Sequence, residues 1–273
     1  MVAGRYGHVY HRVMKSIRVA RIAVAAGAAT LIAAATAPAA SAPGLTASLK
    51  ASVSPNHLVG GPYSPNRGMP IKLSYRATIN HPSDSTYELT RVVVKFPAGV
   101  AKPNGNLFPS CSAAKLRAAR GNLRVCPKGS RIGSGVAVGT AVNIGVTSRG
   151  ILTLFNGPHG KSITFNVNIT TPALINDSFD APLTKTGGKY GYVLTNNIPS
   201  DLQTILDGPI VVRSISATTF ATRVVHGVRR GYIEAYKCPK SHKAPIHSDF
   251  FFTQGVSPFA TASASADASI SCH

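Results

Sequence analysis

Asp177 and Asp180, in the run N-D-S-F-D, are the nearest pair of carboxylates in the chain. Two carboxylates flanking one bond are what acid–base glycoside hydrolysis requires. The competing roles are turn formation and oxygen ligation of calcium, which ordinarily needs a denser acidic cluster. An extracellular carboxylate-dependent hydrolase is therefore an alternative reading, resting on these two residues alone. Cys238-x-x-x-His242, with His247, Cys272 and His273 further on, offers zinc-donor atom types but not the spacing of a finger. Gly133-Ser134-Gly135 lacks both the nucleophile-elbow spacing and a following helix. Gly133, Gly135 and Gly139 do not make a phosphate-binding fingerprint. His57, His81, His159, His226, His242 and His247 fall in expected turns or at segment edges and read as solvated. No catalytic residue, cofactor or metal is assigned, and the expectation is a non-enzymatic protein.

Arg229, Arg230, Tyr232, Tyr236, Lys237 and Lys240 are the densest mixture of cations and rings. Such interleaving suits anionic polymers or single-stranded nucleic acid, so these six form a candidate anionic-ligand patch. Tyr232 and Tyr236, four apart, share one strand face. Elsewhere the cations are scattered, which also fits a soluble basic surface with no dedicated partner; an exported nucleic-acid-binding protein is a further alternative. The chain contains no Trp, so flat platforms for sugars are limited to tyrosines.

The segments that would position these residues are strands. Leu45–Ser54, Ile71–Asn80 and Tyr87–Phe96 alternate at period two. Ser112–Arg120 is the one convincing helical segment, with Ser112 as N-cap and Gly121 as terminator. Ile132–Ile144 follows as a small-residue strand. Arg149–Phe155 and Lys161–Thr170 read as a hairpin around Asn156-Gly157. Residues 171–189 read as loop, Tyr190–Leu194 as a short strand, and Asp201–Leu206 as one helical turn. Pro209–Val225, read as an interrupted strand, and Val228–Lys237 turn at His226-Gly227. His247–Thr253 and an Ala/Ser-rich closing strand, Phe259–Ser271, complete the chain. About eleven strands with almost no helix predict an all-β, antiparallel sandwich, jelly-roll-like, with one short helix between Cys111 and Cys126.

The first 39 residues have the three-part pattern of a secretory signal peptide. Arg5, Arg12, Lys15, Arg18 and Arg21 are the basic region, and Ile22–Ala37 the apolar one. Cleavage is expected between Ala39 and Ala40, leaving a single secreted domain, 40–273, with no integral membrane segment. That domain carries 24 Lys and Arg against nine Asp and Glu, a net charge of +15. The excess favours anionic partners at the cell envelope. Four cysteines in an exported chain read as two disulfides with three connectivities open. Pairing within each end of the domain, Cys111–Cys126 and Cys238–Cys272, is the expected one.

The stretches F-P-A-G-V (Phe96–Val100), F-P-S-C-S (Phe108–Ser112) and C-P-K-G-S-R-I-G-S-G (Cys126–Gly135) carry a family resemblance. They resemble a pattern in exported actinobacterial β-sandwich proteins, with looser likeness in strand order beyond. The chain departs from that pattern in having no Trp after Cys238-Pro239. The resemblance implies export, a β-sandwich and a Cys111–Cys126 bridge, and brings no activity with it.

Overall fold

The computed structural model describes residues 42–58, 67–255 and 260–273. The expected signal peptide with its cleavage site, and Phe259 at the head of the expected last strand, lie outside the described residues. Strands in chain order are β1 (Thr46–Ser54), β2 (Met69–Asn80), β3 (Tyr87–Pro97), β4 (Ala101–Pro103), β5 (Arg131–Ala141) and β6 (Val146–Asn156). Then come β7 (Ser162–Ile169), β8 (Ile175–Lys185), β9 (Tyr190–Asn197), β10 (Thr204–Ile205) and β11 (Gly208–Thr219). The last are β12 (Thr222–Val225), β13 (Val228–Gly231), β14 (Ile233–Ala235), β15 (Lys243–Gln254) and β16 (Thr261–Ser271). One α-helix, α1 (Ala113–Ala118), sits between β4 and β5.

Alternation explains the strands. In β2, Ile71, Ala77 and Ile79 are buried while Lys72, Arg76 and Asn80 are exposed. In β15, Ala244, Ile246, Ser248, Phe250 and Phe252 all face inward. The result is an antiparallel β-sandwich with more strands than the eleven expected. One sheet runs β8-β7-β6-β5-β11-β2-β1 and the other β8-β9-β3-β15-β16. β8 belongs to both: Ile175–Pro182 pairs β7, and Leu183–Lys185 pairs β9.

At the opposite edge β1 runs beside β16. There the His273 amide donates to Asn56 O at 2.8 Å, and the Leu58 amide to His273 O at 3.1 Å. A ring with an odd number of strands cannot be antiparallel throughout, and this seam has the paired bonds of parallel neighbours. The two sheets are thus joined at both edges. β14 and β4 extend from β2, β10 pairs β11, and β12 with β13 forms a separate hairpin.

Two expectations are corrected and two are met. Within the expected 171–189 loop, Ile175–Lys185 is β8, whose Asn, Asp and Pro content disguises a strand held by neighbours on both sides. The interruption expected in Pro209–Val225 falls after Thr219, where the amides of Phe220 and Ala221 both turn to Ile132 O. The expected turn at His226-Gly227 is present, with φ of 49° and 75°, the left-handed pair that a tight hairpin needs. The helical turn at Asp201–Leu206 is a 3-10 turn (Ser200–Leu202) followed by β10.

Candidate functional site

Cys111 is bridged to Cys126 and Cys238 to Cys272, as expected, with no cysteine free. The first bridge closes a loop around α1. Ser112 Oγ accepts from the Lys115 amide at 3.3 Å, and the Ala113 amide donates to the Asp180 carboxylate at 3.1 Å. Leu116 is fully buried against Phe155 and Cys111. Gly121, at φ 76°, ends the helix, its amide donating to Leu116 O at 2.9 Å. Every internal face of the loop is therefore fixed, and its outer face is cationic. Lys115, Arg117, Arg120 and Arg124 inside the loop, and Lys128 and Arg131 just after it, are all exposed. No Asp or Glu occurs between Glu88 and Asp177. This charged surface escapes a sequence reading because its cations are never adjacent; the bridge and the helix gather them.

The expected patch does not form one surface. Tyr232 is only 1% exposed and makes an edge contact with Phe108. Arg230 is turned onto Glu234, donating from Nε to Oε1 at 2.7 Å and from Nη2 to Oε2 at 2.9 Å. Glu234 is wholly buried and also accepts from the amides of Gly68 (3.2 Å) and Gly231 (3.1 Å) and from the Tyr236 hydroxyl (3.2 Å). Burial pushes the Glu234 carboxyl up, but these donors outweigh it and hold it below the ordinary range. A buried carboxylate needs a countercharge, which Arg230 supplies, and the Tyr236 hydroxyl adds a neutral donor. Arg229, Lys237 and Lys240 remain exposed.

Asp177 and Asp180 do not converge. Three apart on β8, they point to opposite sheet faces. Asp177 accepts from the Ser178 amide at 2.7 Å, while Asp180 caps α1 and accepts from Thr164. Cys238 and Cys272 are in a disulfide and so hold no zinc; no group of three metal-donor residues occurs among the described residues.

Two histidines are engaged rather than solvated. His81 Nε2 meets Val212 O at 2.9 Å, which fixes the proton there and leaves Nδ1 to accept from Ser85 Oγ at 3.1 Å. Burial holds His81 below its ordinary value. On the outer face of β15, His247 lies between Asp249 and Asp267, both at 2.9 Å, and Lys95 pairs with Asp249 at 2.8 Å. Ser265 donates to Asp249 and not to the imidazole, so no serine–histidine proton relay exists in this cluster. Its signal was the outward alternation of His247 and Asp249 in β15.

Between the sheets lie two apolar cavities of about 100 and about 180 Å³. Packed interiors hold few voids larger than a water molecule. The hydroxyls of Tyr232, on the smaller cavity, and Thr219, on the larger, are buried without a hydrogen-bond partner. No family model, curated protein or solved structure matches the chain.

Proposed function

We propose that this chain is an exported, non-enzymatic binding module that holds anionic polymers of the cell envelope through its disulfide-closed basic loop. The observation that carries this reading is the fixed set of exposed cations from Lys115 to Arg131, with no acid in that stretch. A rigid array loses little conformational freedom on binding, and repeated charges on a polymer match repeated cations. Two disulfides fit an oxidising compartment, and no described helix is long and apolar enough to cross a membrane. Arg229, Lys237 and Lys240 add a second, sparser cationic area.

The test is cosedimentation with polygalacturonate and with a polyphosphate chain. Affinity is expected to fall at least about tenfold between about 50 and about 500 mM salt, as screening shortens the reach of each charge. Replacing Lys115, Arg117, Arg120 and Arg124 by Ser should weaken binding by about the same factor with the melting temperature unchanged. Equal binding by that variant and the parent would sink the reading.

A further inference from the structure

The two cavities between the sheets share Leu73, Phe96, Ile163 and Ile233, so they meet end to end. Neither is lined by an Asp or Glu. An apolar cavity of about 150 Å³ stays dry and accepts a benzene-sized molecule; the larger one here, at about 180 Å³, exceeds that. Water needs two to four polar partners, and the larger cavity offers one unpartnered buried hydroxyl, that of Thr219, in a wall that is otherwise mostly apolar. The Tyr75 hydroxyl donates to Ser248 at 3.2 Å and the Asn196 amide to Val92 O at 3.2 Å.

The cationic side chains lie at one end, on the smaller cavity. Tyr232 with its unpartnered buried hydroxyl lines it, and so do Lys102, Lys237 and His57. Lys237 and His57 are exposed, so this end reaches solvent. The shape is therefore a long apolar passage with cations at its mouth and the buried Tyr232 in its wall.

We infer that the two cavities form one site for a single-chain fatty acid. The chain lies past the Leu73–Ile233 collar into the larger cavity. The carboxylate accepts from the Tyr232 hydroxyl and faces Lys102 and Lys237. The site uses none of the loop cations from Lys115 to Arg131, so it stands or falls independently of polymer binding.

The test uses the disulfide-intact protein and saturated fatty acids from octanoate to octadecanoate, with the matched alcohols. Native mass spectrometry reads stoichiometry, and displacement of a fluorescent fatty acid reads affinity. A one-to-one complex is expected, with affinity rising about fourfold per added methylene until the passage is full. Acids should bind at least about tenfold better than alcohols, a preference that Lys237→Ser reduces and Tyr232→Phe largely removes. Ala217→Leu, which adds bulk to the larger cavity, should keep the melting temperature and shorten the longest chain accepted. Absence of any complex overturns the inference. So does chain-length dependence unchanged by Ala217→Leu in a folded protein. Equal binding of acids and alcohols overturns the placement of the carboxylate.

Discussion

At the scale of single residues, the most consequential side chain is Glu234, which sequence alone presents as one of two unremarkable glutamates. It collects the Arg230 fork, two backbone amides and a tyrosine hydroxyl in a fully buried position. Removing one member of such a pair leaves an uncompensated charge, so Glu234→Ala should cost about 3–5 kcal/mol in denaturant unfolding. A double change of Glu234 and Arg230 to Met should recover much of that loss. A single-variant cost under about 1 kcal/mol would remove Glu234 from its structural role.

The pH dependence has a definite sign. Because the folded carboxyl titrates below its ordinary value, the unfolded chain binds more protons in the intervening window. Its contribution is complete above about pH 4.3 and fades as pH falls from there through the depressed value. His81 acts higher on the scale. Burial depresses it, so stability is lost as pH falls below about 6.5. Calorimetric melting temperatures should show two descending steps on acidification. His81→Gln should abolish the upper one and leave the lower.

At the scale of elements, legibility followed local pattern. The alternation in β2 and β15, the Ser112 cap and the His226-Gly227 turn could be read directly because each depends on neighbours in sequence. β8 could not, since Ile175–Lys185 has weak strand propensity and is made a strand by the pairing of β7 and β9. The Cys111–Cys126 loop was legible as a structural unit but not as a charged surface. Exposure of its cations is set by which face of α1 packs on Phe155. Gly121 is the hinge of that geometry. It combines φ 76° with a site where a Cβ would stand 2.1 Å from Asn176 Oδ1. Gly121→Ala should therefore destabilise by more than about 1 kcal/mol. It should also admit proteolysis within 112–125, measurable by limited digestion. A variant as resistant as the parent would show that the loop tolerates another path.

At the scale of the molecule, cysteine count and strand spacing announced a disulfide-bonded sandwich, whereas the cavities had no signature. Their walls are ordinary core residues, and only the three-dimensional register leaves space between them. The two proposed binding regions each carry their own disulfide. Cys111–Cys126, 15 residues apart, holds the basic loop; Cys238–Cys272, 34 apart, lies on the smaller cavity next to the seam of β1 and β16. By loop-closure entropy the two bridges stabilise by about 3 and about 4 kcal/mol. Their removal should separate the activities. The Cys111→Ala, Cys126→Ala protein should lose at least about tenfold in polymer affinity while retaining fatty-acid affinity. The Cys238→Ala, Cys272→Ala protein should do the reverse, because the cavity mouth loses the tie that holds residues 237–238 beside the C-terminal strand. Urea melts confirm that each variant is folded before the two binding assays are run. If both variants lose both affinities in parallel, the loop and the passage are one cooperative unit, and the picture of two separately fastened ends is wrong.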